Sequence, residues 1–521
     1  MKKTALLFGS IFMLFTGFKM YAQQATPFHP CGFNDIIDYY DKIQPGYKQQ
    51  VDAVYQNLLQ AQYKKTPAPA QTITLPVVVH VVYTDSSQNL PDSVIWDQIL
   101  QLNACYQRLN ADTINMRDTF KTIVGNPNIK FILANKDPQG NPTTGITRTF
   151  TTTDFGRNNS LFGPDLQTIE EVKSSATGGH DPWDTSKYIN IWVCNMASSG
   201  DPSLLGYATP PPGLPNWPAG STGDLKDGIV IQYQAFGRNN PNPLMMPDPQ
   251  NPFGGTVQID VDGKTPVHEM GHYLGLRHIS GDPSPFGGNG CSVDDGVDDT
   301  PNTDAQSQFD CDTTKNTCVD NTFGSLGDMP DMIENFMDYS SELCENSFTQ
   351  GQVAIMLDVV NNYRNTLLTS PGLDITGDVN GNGSIDNGEI AGDVNGDGTI
   401  GSGELEGDVN GNGVIDIDEV LGDTNGNGVL DPGEPMTVTG LAQIELQQVK
   451  IFPNPASDQL TIFTNVILDN ITVSIYNEMG QLVKTASINN AMTNMDISQL
   501  PSGLYLVKIY NGATAANHRL I

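Results

Sequence analysis

Positive charge is scarce in this sequence. Its 521 residues carry 26 Lys and Arg against 59 Asp and Glu, a formal net charge of −33. That balance argues against nucleic acid or anionic lipid as a partner, and it calls for bound cations to offset part of the charge. Long apolar runs are equally scarce. The one that stands out, Ala5 to Phe18, follows Lys2 and Lys3 and precedes the small Ala22. That order is the order of a secretory signal peptide over residues 1–22; a buried N-terminal helix is the other reading. The run is too short to span a bilayer comfortably, no later segment is apolar enough to do so, and no cysteine follows closely enough for a lipid anchor. The expectation is an exported mature protein without a transmembrane segment, in a compartment where disulfides persist. Cysteine is limited to seven residues, an odd number, so at least one thiol lacks an intramolecular partner.

Histidine is also limited to seven, and three of them fall within the eleven residues His268 to His278, in the pattern HExxHxxGxxH. Positions four apart on a helix share a face, so His268 and His272 can present imidazoles to one metal with Glu269 beside them. Gly275 can end the helix in a conformation closed to residues with a Cβ, turning the chain to deliver His278 as third ligand. Three neutral imidazoles are a catalytic zinc set with a position open to water, and Glu269 is placed to take a proton from that water as it attacks a carbonyl. A surface helix with accidental histidines is the bland alternative, and the full spacing argues against it.

The length calls for several modules. Residues 23–70 hold Cys31-Gly32, a helical stretch through Tyr55 to Leu59 and a Pro/Ala linker, and read as a removable pro-segment. Residues 71–370 alternate elements: strand Ile73 to Val82, helix Val94 to Leu109, strands Ile129 to Ala134, Tyr188 to Asn195 and Gly228 to Gln234, then the zinc helix. This is the pattern of an α/β sheet backed by a helix. His80, inside an apolar run, reads as a satisfied strand residue.

The long histidine motif resembles that of the metzincin clan, whose members carry a methionine turn beneath the metal. Glu334-Asn335-Phe336-Met337-Asp338-Tyr339 fits that turn, which implies Met337 as an apolar floor and Tyr339 as support for the tetrahedral intermediate. Between the two motifs, Cys291 to Pro301 (CSVDDGVDDTP) resembles the pappalysin family, including its ulilysin-like bacterial members. The resemblance covers roughly Ile73 to Leu368 and implies a twisted sheet with backing and active-site helices and a zinc endopeptidase acting on protein or peptide substrates. It further implies disulfides Cys291–Cys318 and Cys311–Cys344, where spacing alone permits three pairings. Asp295, Asp298, Asp299 and Thr300 resemble the family's structural calcium loop; an exposed acidic turn is the alternative. Some bacterial relatives cleave beside arginine and place an acidic residue shortly before the last cysteine. Here Glu342-Leu343-Cys344 departs from that pattern at Leu343. The early Cys31-Gly32 matches the pro-segments of the family, where the thiolate fills the open zinc position and holds the enzyme latent; a disulfide with Cys105 or Cys194 is the other reading.

Residues 371–441 carry four loops of EF-hand pattern with a period of 15 residues. The ligands would be Asp378, Asn380, Asn382, Asp386 and Glu389 in the first, Asp393, Asn395, Asp397 and Glu404 in the second, Asp408, Asn410, Asn412, Asp416 and Glu419 in the third, and Asp423, Asn425, Asn427, Asp431 and Glu434 in the fourth. Three connecting residues are too few for paired helices, so the repeat is closer to dockerin or thrombospondin type 3 loops. No Lys or Arg occurs between Pro371 and Thr437, which predicts a stalk stiffened by calcium; a disordered acidic linker is the alternative. Residues 442–521 alternate in strand fashion through Val449 to Pro455, Ile471 to Tyr476 and Gly503 to Ile509, a small β-sandwich. Their phrases Phe-Pro-Asn-Pro, Tyr-Asn-Glu-Met-Gly and Leu-Pro-Ser-Gly-Leu-Tyr are similar to the C-terminal sorting domain of type IX secretion cargo, which implies that machinery as a partner and a secreted or cell-surface location. A calcium-stiffened adhesin or scaffold with an ancillary zinc domain is the rival function.

Overall fold

The computed structural model describes residues 30–63, residues 72–373 apart from 142, 160–163, 198–203, 212–225, 248–255, 282–290, 308 and 320–326, and the strands between 450 and 520 with a few neighbours. The signal stretch and the four Asp/Asn/Gly loops lie outside the described residues. The chain divides into two compact units, Met1–Asp374 and Ile375–Ile521.

In the first unit, α1 (Phe33–Ile43) and α2 (Tyr47–Leu58) precede an α/β body. Its central strand β1 (Ile73–Tyr83) is buried over eight successive positions, as a nearly continuous apolar run requires when both faces are covered. After α3 (Asp92–Tyr106) come β2 (Ile129–Leu133) and β3 (Ile146–Phe150), which pair in parallel with the first and second halves of β1. Beyond the short α4 (Leu166–Ile169), β4 (Ile189–Cys194) takes the other side of β1. β5 (Gly206–Ala208) and β6 (Ile229–Gln232) follow, giving the order β2-β1-β4-β6-β5 with β5 antiparallel. The sheet is therefore mixed, and among the described residues it ends on β5. A hairpin of β7 (Leu244–Pro247) and β8 (Thr256–Ile259) leads to α5 (Thr265–Tyr273), and α6 (Gln350–Asp358) closes the unit.

α3 holds α5 against the sheet. Val94, Ile95, Ile99 and Leu102 of α3, Val77, Val79 and Val81 of β1, and Val267 and Met270 of α5 share one buried core. Two hydrogen bonds fix the approach of the helices: Tyr106 Oη donates to Val267 O at 3.0 Å, and Gln98 Nε2 to Gly263 O at 2.8 Å.

His80 is fully buried on β1. Asn190 uses its amide N–H groups on Trp183 O and Tyr188 O, so its Oδ1 must accept, and it faces His80 Nε2 at 2.9 Å. Nδ1 then accepts from the Thr147 hydroxyl at 2.7 Å, and His180 stacks on the ring at 4.2 Å. Burial, with His180 as a second cause, pushes the His80 pKa down from 6.5 to about 3. Because the unfolded chain takes up this proton first, stability should be unaffected by His80 above pH 6.5 and fall as the pH drops from there towards 3. Between pH 7 and pH 5 the loss is about 2 kcal/mol. Denaturant unfolding of a His80→Gln variant should show a pH slope flatter by that amount, and an unchanged slope would mean that the ring is protonated in the fold.

The second unit contains two antiparallel sheets. β9 (Lys450–Phe452), β10 (Gln459–Phe463) and β13 (Met492–Asp496) form one in the order β13-β10-β9. β11 (Ile471–Asn477), β12 (Leu482–Ile488), β14 (Tyr505–Tyr510) and β15 (Ala515–Leu520) form the other in the order β12-β11-β14-β15. The three expected strands correspond to β9, β11 and β14.

Candidate metal centre

The N-terminus of α5 carries unpaired backbone N–H groups, and a carboxylate covers them. Glu342 accepts from Asp262 N, Lys264 N, Thr265 N and Thr265 Oγ1 at 2.5 to 3.0 Å. Both of its oxygens are thereby used, although it lines the cavity beside Glu269. The buried Lys264 ammonium ties the same corner to Asp112 Oδ2 at 2.5 Å and to Glu345 O at 2.7 Å.

One turn into α5 the three imidazoles meet. His268, His272 and His278 place their Nε2 atoms 3.1 Å from one another in all three pairs. Nδ1 of His268 donates to Phe336 O at 2.6 Å, and Nδ1 of His272 to Leu276 O at 2.9 Å. Those contacts fix the proton on Nδ1, so Nε2 presents a lone pair. Lone pairs converging at 3.1 Å repel unless a cation lies between them. The separation is within a few tenths of an ångström of the edge of a tetrahedron with zinc–nitrogen bonds of about 2.0–2.1 Å. The residues present therefore fit zinc. Burial, and beyond it the neighbouring His278 and His268, drives the pKa of His272 far below 6.5, which keeps the ring neutral as a ligand must be.

Cys31 Sγ completes this group: it and the three ring nitrogens lie within 4.8 Å of one another, and among the described residues no other set of three or more His, Cys, Asp or Glu does so. Its position follows from a strand-like contact. Leu205 N and Gly206 N donate to Pro30 O at 2.7 and 3.2 Å, and Gly32 N donates to Gly206 O at 2.8 Å, so that residues 30–32 run parallel to the outer edge of β5. The Phe33 ring then stacks on His272 at 4.0 Å. Sequence reasoning missed Phe33, whose role depends on that packing.

Glu269 is buried, and its Oε2 has no hydrogen-bond partner. Burial raises its pKa to about 8, against a lowering contribution from the Cys31 thiol. A Cβ at position 206 would meet Glu269 Cγ at 2.8 Å, so Gly206 is what lets the carboxylate lie against the sheet edge. Gly271 plays the same part on the floor of the site, where a Cβ would meet Met337 Sδ at 2.5 Å. Met337 is fully buried, and its N–H donates to Asn335 Oδ1 at 2.9 Å, an amide itself held by Gln352 of α6. Tyr339 Oη is 3.1 Å from His278 Nε2. Gly275 has φ +94° just past α5, in the left-handed region that favours glycine, and the chain turns there towards His278.

Cys291 is bonded to Cys318 and Cys311 to Cys344. Cys31, Cys105 and Cys194 are buried thiols. In the acidic loop, Asp295 Oδ1 accepts from Val297 N and Thr300 Oγ1 while its Oδ2 is buried without a partner, as is Asp299 Oδ1. Burial raises the pKa of both carboxyls. Asp298 is exposed and accepts from Tyr63 Oη at 3.2 Å, so the three aspartates do not converge. The N-terminal segment grips this loop: Tyr55 Oη donates to Asp295 O, Gln62 Nε2 to Gly296 O, and Asp298 N to Gln62 Oε1.

Residues 259–361 match the family model described as pregnancy-associated plasma protein-A, and residues 450–521 match that of the secretion system C-terminal sorting domain. An extracellular metalloprotease of Arthroderma otae is 38% identical over 283 residues, which are 54% of this chain and 76% of that protein. One of Arthroderma benhamiae is 31% identical over 195 residues, 37% of this chain and 52% of its own length. The chain thus spans about half the length of several curated relatives that it matches. Among solved structures, a mutant of promirolysin from Tannerella forsythia superposes with a TM-score of 0.50 at 34% identity, covering 66% of this chain and 97% of that one.

The mixed sheet, the three histidines and the methionine beneath them define a metzincin-like α/β catalytic unit. The chain belongs to the pappalysin family of metalloproteases, and it carries a type IX secretion sorting domain at residues 450–521. With that domain and extracellular relatives, it is a secreted or cell-surface protein.

Proposed function

We propose that the chain is a secreted zinc endopeptidase made as a latent precursor. The observation that carries this is the convergence of three imidazole Nε2 atoms at 3.1 Å beside a buried carboxyl group whose Oε2 has no partner. Zinc held by His268, His272 and His278 supplies a Lewis acid that acidifies water and polarises a peptide carbonyl. Glu269 takes the proton from that water and passes it to the leaving amine. Tyr339, released from His278, donates its hydroxyl to the oxyanion. Once residues 30–32 leave it, the edge of β5 would be open for a substrate backbone to be drawn out along it.

Residues 23–70 act as the pro-segment, with Cys31 as the ligand that excludes water, and residues 71–370 as the catalytic domain. The orphan oxygens of Asp295 and Asp299 support a calcium ion in this loop, with Asp298, which faces Tyr63, outside its ligand set. Residues 371–441 act as a calcium-stiffened stalk. The two sheets of residues 442–521 pack as a sandwich that the type IX secretion machinery reads.

A precursor beginning at Gln23, purified with zinc, should leave denatured protein substrates intact and begin to cleave them once cut near residue 70. A chelator should abolish cleavage and one equivalent of zinc restore it. Cys31→Ala should give activity before processing. A processed protein that holds one zinc and cleaves no substrate from a whole-proteome digest would overturn the reading.

A further inference from the structure

We propose that the pocket now holding the Tyr40 side chain becomes, when the pro-segment leaves, a subsite that selects substrates with a tyrosine a few residues from the scissile bond. This deepens the endopeptidase reading and rests on residues 23–70 being removed.

The pocket is built for a phenol hydroxyl. Tyr40 Oη donates to Glu170 Oε2 at 2.6 Å, lies 3.1 Å from Lys226 O, and accepts from Lys226 N at 3.2 Å. Glu170 is fixed by groups that stay behind after processing. Its Oε1 is held by Tyr207 Oη at 2.6 Å and by Lys173 Nζ at 2.7 Å. Lys173 is 0% exposed, with its ammonium over the Trp192 and Tyr207 rings and donating to Lys226 O at 3.1 Å. One carboxylate oxygen is thus aimed into the place of the Tyr40 hydroxyl whether or not Tyr40 is there. Ile169, Val172 and Tyr207 belong to the buried apolar cluster that receives the ring.

A phenylalanine in this pocket would leave a buried carboxylate oxygen and a backbone N–H unpaired. Sites that hydrogen-bond a substrate hydroxyl reject the analogue that lacks it far more strongly than apolar pockets sort by size. The pocket is within reach of the cleft. Phe33 stacks on His272 and Tyr40 is seven residues further along α1, about 10 Å at 1.5 Å per residue. An extended substrate covers that distance in roughly three to five residues.

The test uses one parent peptide that the processed protein cleaves, with Tyr, Phe or Ala walked through five positions on each side of the scissile bond. At one position on one side the Tyr peptide should exceed the Phe peptide in kcat/KM by roughly tenfold or more, chiefly through KM. In Glu170→Gln that ratio should fall towards one; because it is taken within a single preparation, a change in overall activity cancels. A Tyr-to-Phe ratio within twofold at every position would overturn the subsite while leaving the endopeptidase reading intact. If no peptide is cleaved, the endopeptidase reading fails and the pocket is judged by binding. A labelled peptide of residues 30–63 should then bind the processed protein roughly tenfold more tightly than its Tyr40→Phe counterpart, and equal affinities would overturn the pocket.

Discussion

Replacing Glu269 by alanine is expected to lower kcat/KM by roughly 10²- to 10⁴-fold while the protein keeps its zinc. The two effects separate because the carboxylate is not one of the three convergent Nε2 donors, yet it is buried next to them with Oε2 lacking a partner. A buried carboxyl group with an unpartnered oxygen is costly to fold around, and proton transfer is the use that the proposed mechanism gives it. Its setting is also rigid, since Gly206 on one side admits no Cβ without a contact of 2.8 Å to Glu269 Cγ. Metal content and steady-state cleavage, measured on the same processed sample, decide the matter. Undiminished cleavage by the variant would assign the proton transfer to another group.

Arg364→Ala should cost about 3–5 kcal/mol of stability. Arg364 and Asp227 are both buried, and Nη1 and Nη2 of the guanidinium reach the two carboxylate oxygens at 2.5 and 3.1 Å. The same guanidinium lies 3.5 Å over the Tyr273 ring, and its Nε donates to Tyr273 O at 3.1 Å, on the last residue of α5. Removing the arginine leaves Asp227 as a buried charge whose remaining contacts include the hydroxyls of Thr209 and Tyr273, and it frees the end of the helix that carries His268 and His272. Urea midpoints should drop, and zinc should be lost at a lower chelator concentration. A shift of less than 1 kcal/mol would mean that water replaces the ion pair and that α5 is anchored from the α3 side alone.

The convergence of the three histidines was legible because their information is local: spacing on one helix, then a glycine that must turn. What holds them was not. The acceptors for Nδ1 of His268 and His272 are the backbone carbonyls of Phe336 and Leu276, and a carbonyl leaves no mark in a sequence. Gly271 sits in plain view inside the motif, yet its reason is Met337, 66 positions away in the chain. The helix α1 was missed although its buried Phe33, Ile36, Ile37 and Tyr40 follow the i, i+3, i+4, i+7 spacing that announces an amphipathic helix. β5, three residues of Gly-Tyr-Ala, is too short to carry a period, and only its pairing with β6 makes it a strand. The pairing of Tyr40 with Glu170 joins residues 130 apart, beyond any window in which spacing has meaning. Arg364 and Asp227 look in the sequence like ordinary surface charges.

The sheet ends on β5, and an outermost strand with free N–H and C=O groups is an invitation to any extended chain, its own copies included. Three hydrogen bonds with residues 30–32 cover that border at Leu205 and Gly206. With residues 23–70 as the proposed pro-segment, catalytic silence and protection from clumping would have one physical cause and would end at one cut. A precursor of that kind would travel with its stickiest border sheathed, and the cut that opened the metal to water would turn that border into a landing strip.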